Sequence, residues 1–189
     1  SINLLNTTNH HIDLLLEQCK NGNQQAQLTV YKRYYKAMYN TSLRIVKDSA
    51  EAEDVMQESF LSAFTKLESY SGEATFGSWL KRIVVNNSIS SYNKRARLKE
   101  DDLDDTLYKL EEDQGITECD TNHLEVQRVL QTMNHLKENY RMALTLNLIE
   151  GYDYEEMSDI LGISYANCRT TVSRAKESLR KKLSELITE

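Results

Sequence analysis

The sequence contains no proline and only six glycines among its 189 residues, so it lacks the residues that most often interrupt helices and form tight turns. An all-β fold needs many such turns, and this composition argues against one. Cysteine is scarce too. The three cysteines, Cys19, Cys119 and Cys168, have no spacing typical of a metal site and are predicted to be reduced thiols. We therefore expect an all-α fold.

Long apolar runs are also missing. No stretch approaches the roughly 18 consecutive apolar residues of a membrane span, and the first residues are too polar for a signal peptide. The sequence therefore predicts a cytoplasmic protein without a membrane insertion. Since 40% of its residues are hydrophobic, a chain of this length can bury a core, and its length suits one large domain or two small ones. We favour two.

Negative charge is concentrated in one segment. The net charge of the chain is −6, but residues 100–120 hold ten acids and one base, so the remainder carries +3. Such acidic runs are usually solvated spacers without a fixed structure. The sequence therefore predicts a flexible acidic linker at residues 99–122, between one helical domain at residues 10–98 and another at residues 123–187.

A helix-turn-helix is predicted near the end of the chain. Residues 155–161 read as a short helix, which Gly162 ends because glycine readily takes the left-handed conformation of a sharp turn. Ser164 can cap the next helix through its hydroxyl oxygen. Apolar residues then recur at steps of three and four and are expected to be buried: Tyr165, Cys168, Val172, Ala175, Leu179 and Leu183.

The opposite face of this second helix is basic. Between residues 169 and 182 there are six basic residues and one acid, in a chain that is acidic overall. A local basic surface of this kind is typical of proteins that face phosphate, and a second helix of these dimensions fits a major groove. A helical hairpin whose basic face is only solvated is the alternative. The candidate DNA contacts are Ser164, Arg169, Thr170, Thr171, Ser173, Arg174 and Lys176.

The first domain combines aromatic and acidic helix faces. A stripe of tyrosines between residues 31 and 39 is expected to pack in the core. In the next helix a wide apolar face is expected to be buried, while an acidic and amide face is expected to be exposed. The apolar face consists of Val55, Met56, Phe60, Leu61 and Phe64, and the polar face of Asp54, Gln57 and Glu58.

Residues 69–78 are predicted to form a flexible loop that exposes Tyr70 and Phe76, before a helix that starts at Trp79. Residues 81–99 hold six basic residues and no acid, a composition typical of surfaces that bind single-stranded nucleic acid. The loop and helix could hold an unstacked base between apolar walls and an amide expected to be buried, with basic groups on the phosphates. In the alternative, Phe76, Trp79 and Ile83 only pack the core. The remaining residues of this hypothesis are Asn86, Lys94, Arg95 and Arg97.

Together these stretches resemble a bacterial RNA polymerase sigma factor of the extracytoplasmic-function (ECF) group, within the sigma-70 family. The resemblance covers about residues 24–183. It rests on four blocks in the expected order and spacing: residues 31–35, residues 52–60, residues 76–83, and residues 151–156 followed by 160–164.

This resemblance implies a sigma-two domain and a sigma-four domain. The first would bind the polymerase clamp and the promoter minus-ten element, and the second the polymerase flap and the minus-thirty-five element. It implies no cofactor and no metal, and an anti-sigma factor as a possible partner. The implied core-polymerase contacts are Asp54, Gln57, Glu58 and Phe60. The implied minus-ten contacts are Tyr70, Phe76, Trp79, Ile83, Asn86, Lys94, Arg95 and Arg97, and the implied minus-thirty-five contacts are the seven residues named for the basic helix.

The family pattern is not followed throughout. It is arginine-rich where this chain has Thr170, Thr171 and Ser173, so the promoter sequence that this chain prefers does not follow from the resemblance. Two other functions are the alternatives to this one. A stand-alone helix-turn-helix regulator would leave the Asp54 block unexplained. An enzyme would have to use Asp54 with Glu58, or the adjacent histidines at positions 10 and 11, but neither pair converges with a nucleophile, a phosphate loop or a metal-like spacing. We therefore expect no enzymatic activity.

Overall fold

The computed structural model describes residues 2–101 and 121–187. The chain divides into two compact units, Ser1–Leu103 and Asp104–Glu189, each of which is considered by itself. Within the described residues every regular element is helical, which confirms the prediction of an all-α fold with two helical domains. Most of the predicted acidic linker falls in residues 102–120, outside the described part of the chain.

The described part of the first unit, residues 2–101, contains four helices. They are α1 (Ile2–Lys20), α2 (Gln24–Val46), α3 (Ser49–Thr65) and α4 (Phe76–Asp101), with a short 3-10 turn at Leu67–Ser69. Helices α2, α3 and α4 pack against one another, and α1 packs on α2. This three-way packing fixes which face of α3 and which face of α4 remain available to partners.

The side chains at the helix starts explain where these helices begin. Asn23 precedes α2, and its side-chain oxygen accepts a hydrogen bond from the Ala26 amide at 3.1 Å. Asp48 precedes α3 and accepts from the Glu51 amide at 2.8 Å. Both side chains satisfy amides that have no partner within the helix. Between the two helices Lys47 adopts a left-handed conformation, with φ of 58°, and closes α2.

Apolar side chains from all four helices form the core of the first unit. The tyrosine stripe of α2 packs against this core, with Tyr31 and Tyr35 stacked at 5.5 Å between ring centroids. The prediction that the stripe serves packing is therefore confirmed. The buried members are Ile12, Leu16, Cys19, Ala26, Val30, Met38, Met56, Phe60, Ala63, Leu67, Phe76, Leu80 and Val84.

Helix α4 begins three residues earlier than predicted. Thr75 ends the preceding loop, and its hydroxyl oxygen accepts from the Ser78 amide at 3.2 Å, which caps a helix that starts at Phe76. Phe76 is therefore a buried helical residue and not an exposed loop residue. Gly77 allows this close packing, since a Cβ there would lie 3.2 Å from Cε1 of Tyr34.

The predicted burial of Leu61 in α3 is wrong: its side chain is 69% exposed. The buried face of α3 follows Ala52, Val55, Ser59 and Ala63, with Phe60 beside it. Leu61 lies one residue beyond Phe60, which is a further rotation of about 100° around an α-helix. That rotation moves it out of the core and onto the side of Gln57 and Glu58.

In the residues that the structure describes, the second unit contains α5 (Thr121–Met133), α6 (Glu138–Leu144), α7 (Tyr154–Leu161) and α8 (Tyr165–Ile187). A π-helical turn at Thr145–Ile149 continues α6. Helices α5, α6 and α7 all pack against α8. Of the helices described in this unit, α8 is the longest and contacts the other three, and its outward face is left uncovered.

Helices α7 and α8 form the predicted helix-turn-helix. Asp153 and Glu156 form a capping box at the start of α7. Gly162 closes α7 in a left-handed conformation, with φ of 66°, and Ser164 accepts from the Asn167 amide at 3.1 Å to cap α8. Both turn residues thus adopt the conformations that the sequence predicts.

The buried stripe of α8 runs through Cys168, Val172, Ala175 and Leu179. Tyr165 does not continue it, although burial was predicted: the residue is 54% exposed at the start of α8, where the Tyr154 ring of α7 covers it only in part. Other large apolar residues of this unit are exposed as well. They include Leu124 and Val126 in the first half of α5, and Leu148 in the π-helical turn.

Candidate nucleic-acid interface

The outward face of α8 presents a shallow groove of about 470 Å³. Among the predicted DNA contacts, Arg169, Thr170, Ser173 and Arg174 line this groove and are exposed. Tyr165 and Ala166 complete it at the start of the helix. Four of the seven candidates therefore meet on one surface, which combines two guanidinium groups with two hydroxyls. These groups are suited to base edges and phosphates.

The other three candidates of α8 lie elsewhere. The Ser164 hydroxyl oxygen caps the helix, and the Thr171 hydroxyl donates to Oδ1 of Asn167 at 3.2 Å. Thr171 and Lys176 are only half-exposed and do not line the groove. Further along, Arg180 forms an ion pair with Glu177 at 2.7 Å. The contact surface that the structure supports is therefore the groove, narrower than the predicted basic face.

Aromatic side chains cluster where the loop meets α4. The Trp79 ring lies 5.3 Å from that of Tyr70 and 5.7 Å from that of Phe76, between centroids, and Phe76 in turn contacts Tyr34. The Tyr70 hydroxyl donates to the carbonyl oxygen of Ala74 at 2.6 Å, so this side chain holds the loop closed. Burial, with the nearby Asp13 and Tyr34 as smaller causes, raises the pKa of the Tyr70 phenol.

The structure divides the predicted base-holding residues into two groups. Phe76 is 3% exposed and belongs to the core, as the packing alternative held, whereas Tyr70, Trp79 and Ile83 are half-buried and have accessible parts. Asn86 was expected to be buried but is exposed, because it lies off the buried side of α4. That side consists of Phe76, Leu80, Val84, Val85, Ser88 and Ile89. An exposed amide beside half-buried apolar rings remains compatible with base contact.

Arg95 was predicted to hold a phosphate, but the structure gives it a structural role. Its guanidinium forms an ion pair with Glu51, donates to the Val46 carbonyl oxygen at 2.6 Å and lies over the Tyr92 ring. Glu51 also accepts from the Ser91 hydroxyl at 2.7 Å, so it joins the start of α3 to α4. The sequence pattern did not predict this ion pair, because Glu51 and Arg95 are 44 residues apart in the chain.

Two basic residues of α4 remain as candidate phosphate contacts. Lys94 and Arg97 flank Arg95 and are both exposed. The Glu51–Arg95 connection fixes the part of the helix that carries them. A basic surface thus persists on α4 without Arg95.

The acidic face of α3 is accessible. Asp54, Gln57 and Glu58 are all exposed, and Nε2 of Gln57 lies 3.4 Å from Oε1 of Glu53. Leu61 adds an exposed apolar group one turn further on, which the sequence pattern had assigned to the core. Acidic groups around an exposed leucine form a surface suited to a partner with basic and apolar groups.

Phe60 does not belong to this exposed face. It is 2% exposed, and its ring packs against those of Tyr31 and Phe64, at centroid distances of 4.8 and 6.2 Å. A side chain enclosed in this way offers almost no surface to a partner. We therefore leave Phe60 out of the candidate polymerase contacts.

Two further observations bear on the chemistry. In the described part of the chain, no cluster of three or more His, Cys, Asp or Glu residues could hold a metal ion, and no helix is long and apolar enough to cross a membrane. Burial raises the pKa of the Cys19 and Cys168 thiols, and both are unpaired cysteines in the core. Cys119 lies outside the described residues.

The fold and these surfaces define a two-domain helical protein with a helix-turn-helix in its second unit. Two family models match it: Sigma-70 region 2 over residues 30–98 and Sigma-70, region 4 over residues 126–179. The chain is 30% identical over 182 residues to the ECF RNA polymerase sigma-E factor of Escherichia coli K12, with 92% of this chain and 95% of that protein covered. It is 29% identical over 184 residues to the RNA polymerase sigma-H factor of Pseudomonas aeruginosa, with coverages of 93% and 95%. The chain belongs to the ECF group of RNA polymerase sigma factors and is a transcription initiation factor.

Two solved structures share the fold. The sigma factor RpoE of Bartonella quintana, in complex with the anti-sigma factor NepR, has a TM-score of 0.61 and 23% identity, with 82% of this chain and 95% of that chain covered. CnrH in complex with the cytosolic domain of CnrY has a TM-score of 0.54 and 23% identity, with coverages of 91% and 96%.

Proposed function

We propose that this chain binds core RNA polymerase and directs it to promoters through three separate surfaces. The acidic face of α3 docks on the polymerase clamp, the aromatic and basic surface of α4 handles the melted minus-ten element, and the groove of α8 reads the minus-thirty-five duplex. The observation that carries the proposal is the α8 groove, where Arg169, Thr170, Ser173 and Arg174 lie together on the outward face of a capped second helix.

The domains divide this work. Residues 10–98 form the sigma-two domain, and residues 99–122 form the acidic linker. Residues 123–187 form the sigma-four domain, which also contacts the polymerase flap. The protein acts in the cytoplasm, where the polymerase is, and works without a catalytic site, a cofactor or a metal of its own.

Docking on the clamp uses charge-assisted contacts around an apolar centre. The carboxylates of Asp54 and Glu58 are exposed and each is worth about 1.5–3 kcal/mol when paired with a basic partner. Leu61 supplies the apolar group between the acids and the end of the helix. This arrangement favours a partner that combines arginine or lysine with an apolar patch.

Melted DNA is held by α4 and the loop before it. Tyr70 and Trp79 provide half-buried aromatic surfaces for base stacking, and Asn86 offers an exposed amide to a base edge. Stacking is worth about 1–3 kcal/mol per base, which offsets the cost of unstacking only if the phosphates are held as well. Lys94 and Arg97 hold them.

The bound states of two proteins that share the fold support a regulator for this chain. Two proteins that share this fold were solved with partner proteins, one of them named as an anti-sigma factor. We propose that an anti-sigma factor also holds this chain inactive. Co-purification of the chain from its own cells, followed by identification of the bound protein, tests this part.

Reconstitution with core polymerase tests the surfaces one at a time. Reversal of Asp54 and Glu58 to lysine should abolish core binding while the helical content stays intact. The matched control is Glu68→Lys, which reverses an exposed acid outside this face. Arg174→Ala should leave core binding unchanged and weaken upstream duplex contact by about 1–3 kcal/mol. Unchanged co-purification of the double variant with core would refute the assignment of α3.

Promoters with closed or preformed bubbles test the melting surface. Asn86→Ala should reduce transcription on both templates while core binding stays normal, because the amide reads a base after it has left the stack. A stand-alone regulator makes a different prediction: the isolated chain would bind specific duplexes as tightly without core polymerase as with it.

A further inference from the structure

Tyr165 is the largest side chain in the α8 groove. It is 54% exposed and is the first residue of the helix, directly after the Ser164 cap. Arg169 lies one turn further along, and both residues line the groove. In a helix-turn-helix, the residues at the start of the second helix are the ones that reach base edges. Tyr165 is thus placed to meet a base.

A second tyrosine holds Tyr165 in place. The Tyr154 ring, at the start of α7, meets the Tyr165 ring edge to face, with centroids 5.7 Å apart and an interplanar angle of 89°. Tyr154 is half-buried, so it offers a fixed surface. An exposed side chain that is already restrained loses less freedom when it binds, which favours a recognition role over a solvated one.

The chemistry of the ring selects a base. Its neighbours in the groove are mainly guanidinium and hydroxyl groups, which suit guanine edges and phosphates, whereas Tyr165 offers a broad apolar surface. The 5-methyl group of thymine is the apolar group that base edges present in the major groove. We propose that Tyr165 packs against a thymine methyl in the upstream promoter duplex and thereby specifies that base. This inference rests on the proposed DNA role of α8.

Replacement of single thymines by deoxyuracil removes the methyl group and nothing else. Holoenzyme reconstituted from core polymerase and this chain is bound to upstream duplexes in which each thymine is replaced in turn. At one position the unmodified holoenzyme should bind about fourfold more weakly, the effect of one buried carbon group. Holoenzyme that carries Tyr165→Ala should bind duplexes with thymine and with deoxyuracil at that position equally tightly. Tyr165→Phe, which keeps the ring, should retain the preference.

Tyr154→Ala is the complementary variant, because it removes the restraint without touching the groove. It should reduce the preference for thymine at the same position and leave all others unchanged. Far-UV circular dichroism should be unaltered in all three variants, since Tyr165 is exposed and Tyr154 contacts it at the surface.

Two results would overturn the inference. Tyr165 does not read thymine if no single deoxyuracil weakens duplex binding by the unmodified holoenzyme. The same follows if Tyr165→Ala weakens binding to all duplexes equally and binding still depends on the methyl group. Arg174→Ala separates these results from a failure of the proposed function. If that variant also keeps full affinity and the unmodified holoenzyme shows no upstream sequence preference, α8 does not read DNA, and both proposals fall.

Discussion

Phe60 and Leu61 are neighbours in sequence with opposite environments, and substitution of each by alanine separates core packing from partner binding. Phe60 is 2% exposed and touches two other rings, so its truncation leaves a cavity in the core. Substitutions of this kind cost about 3–5 kcal/mol. Leu61 is 69% exposed, and its truncation should change stability by no more than about 0.5 kcal/mol.

The single tryptophan makes the measurement specific. Trp79 lies in the first unit, so its fluorescence during urea unfolding reports on that unit alone in the full-length chain. We expect Phe60→Ala to lower the free energy of unfolding by about 3–5 kcal/mol, while Leu61→Ala leaves it near that of the unmodified chain. Core affinity measured under conditions where both variants are folded should fall for Leu61→Ala only. Normal stability of Phe60→Ala together with lost core binding would refute the assignment of Phe60 to the core.

Three further predictions follow from particular contacts. Leu61→Ala should weaken core polymerase binding about tenfold, as a buried apolar anchor would, and an unchanged dissociation constant in a competition assay would exclude it from the interface. Glu51→Gln should lower the free energy of unfolding, measured in urea, by about 1–3 kcal/mol, because it leaves the Arg95 guanidinium without its carboxylate. The same substitution should lower it much less in an Arg95→Gln background. Equal losses in both backgrounds would show that the two side chains are not coupled. Gly162→Ala should destabilise the second unit by about 1–2 kcal/mol, as followed by far-UV circular dichroism, since φ is 66° there; an unaltered transition would contradict the strain.

Local signals predicted the parts of the fold that local chemistry decides. The joint of the helix-turn-helix followed from Gly162 and Ser164, because a left-handed turn and a capping hydroxyl act on their own neighbours. The buried stripe of α8 followed from its three- and four-residue steps. The exposure of Tyr165, the first residue of the predicted stripe, did not follow from these steps. Burial of Tyr165 depends on how far α7 covers α8, and the periodicity of the sequence carries no information about that.

Tertiary contacts decided the remaining site residues. The composition of α4 marked Arg95 as a phosphate ligand, but only the packing of α3 on α4 brings Glu51 to it. Asn86 was predicted to be buried, but it is exposed, although the preceding residue, Val85, is buried. A shift of a single residue changes the helix face, and no sequence pattern here is sharp enough to resolve it.

Transcription from a library of random promoter fragments, with purified core polymerase and sequencing of the transcript starts, tests the central claim most directly. A sigma factor should produce starts that appear only when the chain is added and that lie at a fixed distance downstream of two shared sequence elements. The Asp54→Lys, Glu58→Lys double variant should abolish these starts, and Arg174→Ala should relax only the upstream element. Starts that are identical with and without the chain, or chain-dependent starts without a shared upstream element, would contradict the account.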